Sequence, residues 1–157
     1  MMLLLFSLLL GLAQHVHPQD ATAPSGLTAE QVKQLLDGEG MGLARAAEMN
    51  EYPGPKHVLE LAKPLQLTSD QQKEISAIRE EMLARARPLG RKIVDAEREL
   101  DAAFKGGKIT EADLKQRLDA VARLQGDLRM VHLRAHLLTK PVLSVDQIKK
   151  YAQLRGH

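Results

Sequence analysis

His132 and His136 stand four residues apart in the segment MVHLRAHLL. On a helix that spacing sets both imidazoles on one face, where the pair can ligate one metal ion. The same two side chains can equally be polar boundary residues that hydrogen-bond within a helical packing. The other histidines are His15 and His17 in a polar N-terminal stretch, His57, and His157 at the end. None has the company that nucleophilic or acid–base chemistry needs. The chain contains no GxSxG elbow, HExxH pair, P-loop or glycine-rich dinucleotide fingerprint. Cysteine is absent, which removes disulfides, thiolate metal sites and cysteine nucleophiles. No catalytic residue and no obligatory cofactor is expected, so the chain reads as a binder and not an enzyme.

Composition narrows what it binds. The 157 residues are 27% charged and 44% hydrophobic, a balance that supports one folded domain. Aromatics are 3%, with no Trp, so the core is built from aliphatic side chains, Met and Ala. Abundant Ala, Leu, Glu, Lys, Arg and Gln favour helix over sheet. The net charge is +2 and basic residues are interleaved with acids; nucleic acid is not expected as a partner.

Residues 1–13, MMLLLFSLLLGLA, carry no charge. The run has the length of a signal-peptide apolar region and is shorter than the ~20 residues that span a membrane. Cleavage is expected after Ala13, or as late as Ala23 after Ala21-Thr22-Ala23, and the only membrane contact expected is through an uncleaved leader. Residues 14–26, QHVHPQDATAPSG, read as a flexible linker. Residues 27–157 then form a single helical domain.

The elements that position the histidines announce themselves by their starts. Leu27-Thr28-Ala29-Glu30-Gln31, Leu67-Thr68-Ser69-Asp70-Gln71 and Leu143-Ser144-Val145-Asp146-Gln147 repeat one pattern, and Ile109-Thr110-Glu111-Ala112-Asp113 is a degenerate fourth copy. Each is a capping box: the hydroxyl accepts from the N3 amide and the N3 side chain reaches back. Stripes at steps of three and four run from Ile75 to Phe104 and from Leu114 to Leu138. Gly106-Gly107 joins them, predicting an antiparallel hairpin of two helices of roughly 37 and 30 residues, kinked at Pro88. Short helices over Leu43–Asn50 and Lys56–Lys63 precede it and a terminal helix follows, an all-α fold. Arms ~45–55 Å long cannot bury both faces against each other alone; the hairpin needs the short helices, a partner copy or a client, and a homodimer is expected.

The L-[ST]-x-[DE]-Q segments, set behind a leader, before a long helix and before the last helix, resemble the LTxxQ motif of the Spy/CpxP family of periplasmic proteins. The resemblance spans Leu27 to His157 and implies a bent dimer exported to the periplasm. One branch of that family comprises ATP-independent chaperones whose concave face mixes basic and apolar residues. The matching positions for unfolded or misfolded clients are Met82, Arg85, Arg87, Leu89, Arg91, Lys92 and Ile93. Another branch senses or resists heavy metals through an i, i+4 pair on the late helix joined by donors from an earlier one. The matching set is His132, His136, His57 and Glu60, suited to Zn, Ni or Co. A helical module that docks on an envelope partner is the remaining reading.

Overall fold

The computed structural model describes residues 23–156. The expected leader, His15, His17, the linker up to residue 22 and His157 lie outside them. The described chain is all-α, with no strand among the described residues. Its helices are α1 (Ala29–Asp37), α2 (Arg45–Glu48), α3 (Pro55–Glu60), α4 (Ser69–Lys105), α5 (Glu111–Thr139) and α6 (Val145–Arg155), with a 3₁₀ turn at Lys140–Val142 between the last two.

All four predicted starts are capping boxes. Thr28, Thr68, Thr110 and Ser144 each accept from the N3 backbone amide while the N3 side chain accepts from the cap's own amide. Two of these boxes do more than cap. The Gln71 amide donates to the Val142 carbonyl (2.8 Å) and to Gln147 Oε1 (2.9 Å). The Gln147 amide donates to the Leu65 carbonyl (3.2 Å) and back to Gln71 Oε1 (3.0 Å). Both side-chain amides thus use every donor they have, and the beginnings of α4 and α6 are fastened together.

Helices α4 and α5, 37 and 29 residues long, form the predicted hairpin. Glu81 pairs with Arg134 (3.0 Å) and Glu99 with Arg117 (3.5 Å), partners that converge on the turn as an antiparallel register requires. Pro88 lies inside α4, which continues through it; having no N–H, it leaves the Ala84 carbonyl without its i+4 donor. Gly90 has a different purpose. A Cβ there would come 1.9 Å from the Leu35 carbonyl oxygen, so the last turn of α1 lies directly on the α4 backbone.

Two apolar clusters hold the molecule. Leu35 of α1 joins Ala86, Ile93 and Val94 of α4 and Leu128 of α5 at mid-hairpin. Val58, Leu65, Leu67, Ile75, Leu143 and Tyr151 form the other at the open end. The stripe expected through Leu118 and Phe104 is not buried near the turn: they are 47% and 55% exposed, because neither cluster extends that far.

Candidate functional site

The side chains singled out by type converge on the open half of the hairpin. The loop after α1, helices α2 and α3, and the facing sides of α4 and α5 enclose a cavity of about 550 Å³. His57, His132 and His136 line it, together with Glu48, Met41, Met49, Met82, Arg79 and Arg87. A pocket of this size is what a small ligand or ion site occupies.

Each histidine has its own setting. His136 Nδ1 bonds the Tyr52 carbonyl at 2.7 Å; a carbonyl only accepts, so Nδ1 carries the proton. Its ring lies against Gly54, where a Cβ would stand 2.8 Å from Cε1, and no larger residue fits there without moving the ring. His57 Nδ1 is 2.9 Å from Glu48 Oε1. His132 is 3% exposed, and its Nε2 has no hydrogen-bond partner. Burial, with the neighbouring His136 second, pulls the His132 imidazole below its ordinary pKa and keeps it neutral.

Glu48, at the end of α2, is the hub that sequence reasoning missed. Its Oε1 accepts from the Tyr151 hydroxyl and from His57, and Arg155 lies 3.7 Å away. Burial works against its charge, but the Tyr151 and His57 bonds outweigh it and hold the carboxyl below its usual range. Burial and then the Glu48 contact push the Tyr151 phenol up. The partners are 9 and 103 residues from Glu48, so only the acidic residue in LARAAEMN could have signalled it.

The metal-ligand set implied by the resemblance is therefore not assembled as such. His57, His132 and His136 meet around one cavity, while Glu60 is exposed and stands off its wall. The reason is local: His57 turns toward Glu48, leaving Glu60, three residues on in a six-residue helix, on the solvent side. Among the described residues no group of three or more His, Asp and Glu is placed to hold a metal ion.

The client-face residues divide. Arg85, Arg87, Arg91 and Lys92 are exposed; Arg85 pairs with Glu81 at 3.0 Å, and Arg87 Nε donates to the Asp37 carbonyl at 3.3 Å. Ile93 is 2% exposed in the core, and Leu89 packs against it, because α1 covers that side of α4. Met82 and Arg85 instead line a shallow groove with Ile78, Met130, Arg134 and Leu138. Met130 and Leu137, both outside the apolar stripe, are 63% and 57% exposed.

Comparison with protein-family models, with curated proteins and with solved structures finds no match for this chain.

Proposed function

We propose that this chain is an exported, periplasmic holding protein of the Spy/CpxP type, which binds unfolded or misfolded polypeptide without ATP and works as paired copies. The observation that supports this reading is the exposed mixed surface beside the α4–α5 groove. Met130 and Leu137 offer open apolar area, and Arg85 and Arg134 flank it. Large apolar side chains left open among charged ones mark a binding face, and scattered contacts of this kind suit clients of varied sequence. The test is light scattering of a chemically denatured substrate protein. Aggregation falls when the chain is added in molar excess, and falls less with Met130→Ser/Leu137→Ser. Scattering unchanged by several-fold excess of the wild type overturns the proposal.

A second reading, divalent-metal sensing or buffering with Zn, Ni or Co, is favoured by the unpartnered Nε2 of buried His132 on the wall of a cavity that also holds His57 and His136. Calorimetric titration of wild type and His132→Ala/His136→Ala tests it; equal heats from both discard it.

A further inference from the structure

Helix α1 covers more of the molecule than it fills. Three close approaches trace its path along α4. A Cβ on Gly26 would stand 2.9 Å from Glu97 Oε2, one on Gly90 would stand 1.9 Å from the Leu35 carbonyl oxygen, and one on Gly38 would stand 3.3 Å from both Ala86 Cβ and Leu83 Cδ2. Residues 26–38 therefore run antiparallel to α4, along a face that steps by three and four through Leu83, Ala86, Gly90, Ile93 and Glu97. Ala86 and Ile93 are no more than 2% exposed, and Leu89 packs beside them.

What α1 gives to this strip is modest. Of its nine residues only Leu35 is buried; Val32, and Leu27 just ahead of the helix, are half-buried against the same cluster. Among the described residues one hydrogen bond crosses from α4, Arg87 Nε to the Asp37 carbonyl at 3.3 Å, and it is exposed. The Lys33–Asp37 ion pair lies within α1 itself. A helix of nine residues does not persist alone in water, so undocking also unwinds it and returns its chain entropy.

The rest of the molecule does not depend on α1. Glu81–Arg134 and Glu99–Arg117 join α4 to α5 directly, and the apolar cluster at the open end contains no residue of α1. The connector Gly38-Glu39-Gly40-Met41-Gly42 has φ of +75°, +46° and +79° at Gly38, Met41 and Gly42. A few loop residues of this kind can absorb the movement of a segment.

We propose that α1 is a removable cover, and that the strip beneath it, centred on Ala86, Leu89 and Ile93, is a second binding face for apolar segments of unfolded polypeptide. The proposal rests on the holding reading and adds regulation to it. The surface beside Met130 and Leu137 is open at all times, whereas this strip opens only when α1 leaves. One buried leucine, two half-buried apolar side chains and close-packed backbone are what α1 offers. Almost any apolar stretch of an unfolded chain can offer the same, so a client competes with a segment of the protein itself.

The test follows backbone hydrogen exchange in the full chain, and its affinity for labelled, reduced and carboxymethylated α-lactalbumin, which stays unfolded. In the wild type, α1 amides are expected to exchange well before those at the middle of α4. Leu35→Ser removes the buried anchor. Gly90→Ala pushes α1 off from the other side while giving α4 a better helix former. Both variants are expected to exchange α1 as unfolded chain and to keep α4 and α5 protected. Both should bind the probe at least about tenfold tighter, since a face open in a tenth of molecules or fewer forfeits that factor. Adding Leu89→Ser to Leu35→Ser is expected to cancel the gain. Wild-type α1 amides as slow as those of α4, or α1 still protected in both variants, overturns the proposal. So does α4 and α5 losing protection along with α1 in both, release without tightening, or a gain that survives Leu89→Ser. Probe binding that weakens with Met130→Ser/Leu137→Ser but ignores Leu35→Ser and Gly90→Ala keeps the holding reading and overturns the cover. A probe left unbound by wild type and variants alike, with aggregation unchanged, overturns both.

Discussion

The two ends of the α4–α5 hairpin are built differently. At the open end Ile75 and Val58 are fully buried, Tyr151 nearly so, and α3 and α6 close over them. At the turn Phe104 and Leu118 are about half exposed. The polar contacts there include solvent-facing pairs such as Arg98–Asp95 and Lys115–Asp119, which contribute little in water. The satisfied amides and the cavity lie on the open side of mid-hairpin, and buried side chains thin out toward the turn past Val94 and Val121. Stability and candidate chemistry therefore share the open end, while the turn end is helix held mainly by its own hydrogen bonds and one neighbour.

Substitutions can break this contrast. The largest effect is expected from Ile75→Ala, which removes a side chain with no exposure and costs about 3 kcal/mol in urea unfolding. Leu118→Ala near the turn makes the sharpest counterpart, because the same assay should register within about 0.5 kcal/mol. Equal losses at both positions would end the two-region description.

Next in size is Glu48→Gln, expected to cost about 2 kcal/mol because Tyr151 and His57 lose a charged acceptor. Its pH dependence has a definite sign. Glu48's folded pKa is below its ordinary 4.5, so its contribution is present above that value and is lost as pH falls through the folded one. His132's folded pKa is below 6.5, so the unfolded chain takes the proton first. Its contribution is complete above 6.5 and declines as pH falls from there toward the folded value. Unfolding free energy should thus decrease on acidification below pH 6.5, and His132→Leu should flatten that slope. A slope unchanged by His132→Leu would assign the effect elsewhere.

The smallest expected difference lies between copies of the repeated motif. Gln31→Ala removes one local cap bond, whereas Gln71→Ala also strands its partner amide and the Val142 carbonyl. Gln71→Ala should cost about 1 kcal/mol more than Gln31→Ala in denaturant unfolding. Equal costs would reduce the motif to a cap at every copy.

These copies also mark where reading the sequence succeeds. A cap needs the hydroxyl and a side chain three residues on, so Thr28, Thr68, Thr110 and Ser144 were legible, as were the stripes that make the hairpin. Local spacing could not reveal which side of α4 would be covered. Ile93 falls on the apolar stripe, and the resemblance set it on the client face; α1, lying across Gly90, buries it instead. The i, i+4 pair on α5 was visible, but its surroundings come from distant segments. Glu48 meets His57 from nine residues upstream, and its other partner, Tyr151, arrives from the far end of the chain. Met41 and Met49 gave no periodic signal, since loop backbone and a four-residue helix carry them.

The paired glutamines have a further consequence. Gln71 and Gln147 are 76 residues apart, so their mutual amide bonds tie off a loop containing both long helices. Other proteins staple such loops with disulfides, but this chain has no cysteine. Its clasp is made of neutral amides, forms without an oxidant and is indifferent to reductants. Closure of the hairpin thus follows denaturant and temperature, and the redox state of the surroundings has no hold on it.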